Sequence, residues 1–351
     1  MITELEKQTV TLRCPTAFDG RQSPCLELTA DSEIMSGDSS VFSKNAALTA
    51  AALSLSAANE NILAENLKAL GCGDLLSVGG DHEPGKAGMY LASRSHERVI
   101  DVIAVLRGTE GNEWLSNFDI GYSAEHSGFA KAADFAEDKL GDYIFTRAIG
   151  TQPRFFITGY SRGGAVANIL SKRLCDRYGT DSVRCVTFAS PAVTISRRQA
   201  RYGCIFNFVR GEDFFTRVPP ESWGYNRYGK DISLSDFGDI SERYRDMCGE
   251  EYIGFTRQGA VNSFLCAVTR LAPNVRAYYK RRRDVGSRKL SMSEFMTAAA
   301  EMLSGQEDEA IADILADAMI SEYADLMSFR SSGADHGEII SCTAVSPERM
   351  R

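Results

Sequence analysis

The chain is poor in the features that mark several protein classes. Its opening, MITELEKQTVTLRC, has no apolar stretch behind a basic head, so no secretory leader is expected. No run approaches the ~18 consecutive apolar residues of a membrane span. Nine cysteines are an odd number, and no two stand at C-x-x-C spacing, so neither a Cys-based metal site nor a disulfide scaffold is expected. Single thiols in apolar runs, such as Cys185 in VRCVTF, read as reduced core residues of a cytoplasmic protein. Positive charge is also in deficit, with a net −8 that offers no general attraction to nucleic acid or anionic membrane. Histidine is scarce, at four residues, so any imidazole chemistry has few candidates.

What remains is ordinary for a globular protein: 351 residues, 44% hydrophobic and 25% charged, enough to bury a full core. Strand-like runs at 88–93, 98–106, 154–159, 183–189 and 204–210 alternate with helical patterns at 129–149 and 162–178 and a shorter one near 196–202. That alternation predicts an α/β fold with a mostly parallel sheet and helices on both faces. Upstream, 43–58 and 60–70 read as two packing helices. Beyond about 235 the pattern turns helical, with a stripe over 261–271 and capping boxes at Ser291–Glu294 and Ser304–Glu307. The expected layout is a core over 1–239, a helical insertion over 240–328, and a return to the core over 329–351.

The sharpest motif is Gly159-Tyr160-Ser161-Arg162-Gly163, a G-x-S-x-G. An apolar strand runs into it and an apolar-periodic helix runs out, the context a serine nucleophile on a tight elbow requires. The glycines permit a backbone too tight for side chains, and the N–H of Arg162 falls at a helix N-terminus, suited to an oxyanion. The alternative is a plain tight strand-to-helix turn. A base is then needed. His82 and His96 read as exposed loop histidines, and His126 as a locally bonded helix-entry residue. Only His336 follows the serine, as the Ser–acid–His order of α/β-hydrolases requires. The orienting carboxylate should follow a strand, and Glu212 and Asp213 both stand behind 204–210; spacing does not choose between them, and Asp231 and Asp236 are weaker rivals. Arg107-Gly108-Thr109, after the strand at 98–106, is the candidate second oxyanion donor.

Two other runs are set aside. Gly80–Ala87 approximates a P-loop, but Ala87 lacks the metal-binding hydroxyl and Asp81 and Glu83 would repel phosphate. A basic run near 276–290 faces an acidic stretch at 301–325 within one insertion, and mutual pairing explains both more simply than nucleic acid or anionic lipid.

Taken together, NAALTAAALSLSAA (45–58), VIAVLRGTEGNEWLSN (102–117), HSGF (126–129), ITGYSRGGAVA (157–167), VTFASP (186–191), NFVRGEDFFTRVPP (207–220) and DHGE (335–338) resemble the class 3 lipases of the α/β-hydrolase superfamily. The resemblance implies Ser161 as nucleophile, His336 as base, Asp213 as the acid and Thr109 as second oxyanion donor, and treats His126 as structural. It implies ester hydrolysis on acyl-glycerol or related lipid substrates, with thioesterase, phospholipase and acyltransferase chemistry open on the same triad, as is a non-catalytic binding role. No cofactor or metal is implied, nor a nucleic-acid partner; peripheral lipid contact is compatible. Trp114, Leu115, Phe118 and Tyr160 are candidate pocket residues. Two departures stand out. The stretch between Asp213 and His336 is long, which makes the insertion extra, and the segment after Thr109 is short for a lid helix.

Overall fold

In the computed structural model, residues 8–15, 25–73, 75–79, 85–108, 117, 119–121, 123–196, 199–209, 214–217, 219, 221 and 224–233 are described. The expectations placed on Thr109, Trp114, Leu115, Phe118, Glu212, Asp213, Asp236, His336, His82 and the whole 240–328 insertion lie outside those residues.

The runs read from the sequence become β4 (Met89–His96), β5 (Val99–Leu106), β6 (Gln152–Tyr160), β7 (Val183–Phe188) and β8 (Ile205–Val209), with α3 (Ser127–Arg147) and α4 (Arg162–Tyr178) between them. Two flanking strands, β3 (Leu76–Val78) and β9 (Lys230–Ser233), complete a seven-stranded sheet of order β3-β4-β5-β6-β7-β8-β9. From β5 to β9 the pairing is parallel. β3, β4 and β5 pair antiparallel, so the sheet is mixed at one edge. β4 runs straight into β5 through a tight turn at Glu97, whose φ is 46°, leaving no room for a helical crossover. The ladder therefore extends to His96, paired with Val99, and His96 is a strand residue rather than the exposed loop histidine expected.

Alternation along the strands sorts side chains onto two faces. Ile103, Val105, Phe156, Val186, Phe188 and Phe208 pack toward α1 (Lys44–Ser56) and α2 (Glu60–Ala69). Val102, Ala104, Leu106, Phe155, Ile157 and Cys185 pack toward α3 and α4. α1 is buried from Ala46 to Ser56, as befits a helix apolar all round, and Ser43 caps it by accepting from the Ala46 N–H at 3.2 Å. A hairpin of β1 (Thr9–Pro15) and β2 (Cys25–Asp31) covers the outer side of these two helices. The sequence reading missed it. Asn66 on α2 pins the hairpin, accepting from the Arg13 N–H at 2.7 Å and donating to the Arg13 carbonyl at 2.8 Å.

At the end of the sheet away from the serine motif, Asp101 is fully buried between Arg94 and Arg154. Its Oδ2 accepts from Arg94 Nε and Nη2 at 3.1 Å each, and its Oδ1 from Arg154 Nε at 2.7 Å. Two guanidinium forks around one carboxylate make the burial of that charge tolerable. Cys14, Cys72, Cys175, Cys185 and Cys204 are buried free thiols, Cys185 within the apolar run VRCVTF as expected. No described helix is long and apolar enough to cross a membrane.

Candidate active site

Ser161 sits between the last residue of β6 and the first of α4, with φ 54° and ψ −127°. A non-glycine residue rarely adopts that backbone, and its strain is of the order of 1–3 kcal/mol. The surroundings hold it there. The Ser161 N–H donates to the Phe188 carbonyl at 2.9 Å, and its carbonyl accepts from the Ala165 N–H at 3.1 Å as the first turn of α4 closes. Three glycines make the turn possible. A Cβ on Gly159 would come within 2.5 Å of the Gly163 carbonyl oxygen, and one on Gly163 within 2.3 Å of the Leu106 carbonyl oxygen. Gly164 is less constrained, with its nearest neighbours at 3.2 Å. The helix thus seats directly on the sheet, and Ser161 stands partly exposed at the carboxyl ends of the strands.

Parallel pairing sets Leu106 opposite Gly159, so the loop after β5 begins beside the elbow. Gly108 lies against Tyr160, where a Cβ would meet the ring at 3.3 Å. This brings the main chain leading to Thr109 next to the residue preceding Ser161. Arg162 opens α4, placing its N–H at the positive end of the helix dipole. Its side chain is fully buried, and Nη2 donates to the Lys86 carbonyl at 2.7 Å. Arg162 is therefore a core residue as well as a candidate oxyanion donor.

His126 is fully buried, stacked on Phe129 with ring centroids 4.0 Å apart, and its Nε2 lies 3.2 Å from the Asn117 carbonyl. Its main-chain N–H donates to the Val193 carbonyl at 2.8 Å. Burial, with a smaller contribution from the Arg162 charge, pushes its pKa down to about 4 despite opposing effects of Asp119 and the neighbouring main chain. A neutral, packed imidazole of this kind matches the structural role expected for it.

Asp231, one of the rival acids, lies on β9, three strands from β6, or about 14 Å at the usual strand spacing. Its carboxylate is bound by Arg227, whose Nη2 donates at 2.7 Å, and by Asn207 Nδ2 at 3.1 Å. Those bonds make it a structural partner. Asn207 itself stands mid-strand on β8, fully buried, accepting from Thr187 Oγ1 at 2.7 Å and from Asn168 Nδ2 at 2.9 Å. None of Asn168, Asn207 and Arg227 was singled out from the sequence. The available signal was an Asn interrupting each of two apolar runs, AVANIL and CIFNFV.

Residues 101–223 match the family described as Lipase (class 3). The matched segment is about a third of the chain. It runs from within β5 past the elbow and the end of β8, and so spans Thr109, Ser161, Arg162 and Asp213 but stops well short of His336. Among solved structures, the chain is similar to a Rhizomucor miehei lipase propeptide complex, at 16% identity over 65% of this chain and 83% of that one, with a TM-score of 0.42. It is similar also to a lipase from Rhizopus microsporus var. chinensis, at 16% identity over 56% and 75%, with a TM-score of 0.42. A third is lipase II from Rhizopus niveus, at 17% identity over 55% and 79%, with a TM-score of 0.40. No curated protein sequence matches the chain. The matched segment contains β6, β7, β8, most of β5, the elbow and helices α3 and α4, an α/β arrangement around parallel strands.

Proposed function

We propose that the protein is a carboxylic ester hydrolase acting on acyl-glycerol or related lipid esters through Ser161, His336 and Asp213. The observation that carries the reading is the backbone of Ser161, held at φ 54° at the carboxyl ends of the parallel strands, inside the segment that matches the class 3 lipases. Such strain is retained where the surroundings over-determine it, as they do at nucleophile elbows. In this reading Ser161 Oγ attacks the ester carbonyl while His336 takes its proton, and Asp213 orients the imidazole and stabilises its charged form. The tetrahedral oxyanion accepts hydrogen bonds from the N–H groups of Arg162 and Thr109. Collapse expels the alcohol, protonated by His336, and leaves an acyl group on Ser161. Water deprotonated by His336 then releases the acid.

Tyr160, Trp114, Leu115 and Phe118 are the proposed acyl-pocket residues, and the 240–328 insertion is proposed as a helical cap over them. The free thiols among the described residues support a reducing, cytoplasmic setting. Initial rates on p-nitrophenyl esters from acetate to palmitate, with emulsified glycerides alongside, test the proposal. It expects turnover that depends on acyl length; a folded protein that hydrolyses no ester in the series contradicts it.

A further inference from the structure

Arg227 precedes β9, and its side chain is only 10% exposed. Its Nη1 donates to two main-chain carbonyls at once, Ser190 at 2.9 Å and Thr216 at 2.6 Å. Nε reaches both Asp231 oxygens, at 3.1 and 3.2 Å, and Nη2 reaches Oδ2 at 2.7 Å. The two carbonyls belong to different loops. Ser190 follows β7, whose Phe188 carbonyl accepts from the Ser161 N–H. Thr216 lies in the 3-10 turn Phe214–Arg217, which begins immediately after Asp213 in the chain.

The contacts continue behind Arg227. Asp231 Oδ1 accepts from Asn207, and Asn207 accepts from Asn168 on α4, the helix that opens at Ser161. Asn168, Thr187 and Asn207 are each fully buried. An unbroken polar chain therefore runs from the nucleophile's helix, through β8 and β9, to the turn behind the candidate acid. Apolar side chains would fill the same volume; a fully paired network instead fixes one arrangement.

We propose that Arg227 is a positioning residue for ester hydrolysis, holding the turn that follows Asp213 in register with the loop beneath Ser161. This inference rests on the reading of Asp213 as the acid. Arginine is suited to the task because its planar fork grips a carboxylate and two carbonyls together, which the single ammonium of lysine does not.

The test uses the full chain and steady-state kinetics on a p-nitrophenyl ester, with Arg227→Met and Arg227→Lys each made alone and with Asp213→Asn. Misplacement of a catalytic group by about 1 Å costs ~10²-fold in rate. Arg227→Met is expected to lower kcat on that scale with KM changed less than about twofold, and Arg227→Lys to restore only a small part. In the Asp213→Asn background the same change should cost little further, since the group it positions is already disabled. Where Arg227→Met fails to fold, Arg227→Lys carries the same comparison. A folded Arg227→Lys with undiminished kcat overturns the inference, as do losses that simply multiply with Asp213→Asn. If Asp213→Asn alone keeps full activity, the reading of the acid fails first, and the inference falls with it.

Discussion

Gly163 lies so close to Leu106 that a Cβ added to it would stand 2.3 Å from the Leu106 carbonyl oxygen and 2.4 Å from that of Arg107. Both obstacles are main chain, so they do not yield by changing rotamer. The contact joins the helix that opens at Ser161 to the strand end leading to Thr109, which makes it a geometric link between the two proposed oxyanion donors. Gly163→Ala is therefore expected to destabilise the fold by about 1–3 kcal/mol, on the scale of overpacking. It should also lower kcat, by moving one donor relative to the other. Thermal melts and kinetics on the same preparation check this; unchanged values for both would show that the contact carries no constraint.

The strained backbone of Ser161 gives a second prediction. Ser161→Gly removes the nucleophile and also the Cβ that makes φ 54° unfavourable. It should abolish ester hydrolysis yet raise stability by about 1 kcal/mol or more. Ser161→Ala should be as inactive, with kcat about 10⁶ lower, but without the gain in stability. A Ser161→Gly protein less stable than Ser161→Ala would mean the elbow is not strained.

His126 and His336 should separate by pH. His126 has its pKa pushed down to about 4 in the fold, against 6.5 for the ordinary group. The unfolded chain therefore binds a proton that the folded chain refuses between those values. Its contribution to stability is complete above about pH 6.5, declines as pH falls, and is lost by about pH 4, amounting to about 3 kcal/mol. Denaturant titrations from pH 7 to pH 4 should show that decline, and His126→Gln should flatten it. The same substitution should affect stability more than rate. By contrast, kcat/KM should rise through one ionisation near pH 6–7, the range of an unperturbed imidazole, and His336→Gln should remove the activity. A rate profile flat across that range argues against an imidazole base.

Breaking the buried charge cluster should cost stability and spare the chemistry. Asp101→Asn leaves the Arg94 and Arg154 guanidinium groups, at 5% and 30% exposure, facing a neutral partner. Removal of one member of a buried pair costs about 3–5 kcal/mol. Since the cluster lies at the far end of the sheet from Ser161, kcat of the fraction that remains folded should stay within about twofold. A large loss of kcat without loss of stability would tie this end of the sheet to the site.

Strands β5 to β8 were legible because each is an apolar run, and β5 and β6 are each followed by a long helical pattern. The edge was not. β9 spans only Lys230–Ser233 and carries polar residues, and β3 spans only Leu76–Val78, too short for periodicity to register. The β1–β2 hairpin takes its burial from α1 and α2, a tertiary effect that the local pattern of TVTLRCP does not announce. At the site, the elbow was legible because G-x-S-x-G states its own geometry. Arg227 was not, since the groups that tie it to the site, Ser190 and Thr216, are contacted through main-chain carbonyls on other loops, which leave no trace in side-chain pattern.

The proposed cap makes its own demand. Replacing 240–328 with a short Gly/Ser linker should leave a protein that still reacts at Ser161, while its preference between short and long acyl esters shifts tenfold or more, about 1.4 kcal/mol of differential transition-state binding. An unchanged chain-length profile would make the insertion an interaction module, and complete unfolding would make it part of the core.

The most direct test of the central claim is labelling by a fluorophosphonate probe, followed by mapping of the modified peptide. The proposed chemistry predicts one stoichiometric adduct on Ser161, within ITGYSRGGAVANIL, formed at least a hundredfold more slowly in Asp213→Asn and not at all in Ser161→Ala. A folded protein that takes up no probe, or takes it up on another serine, contradicts it.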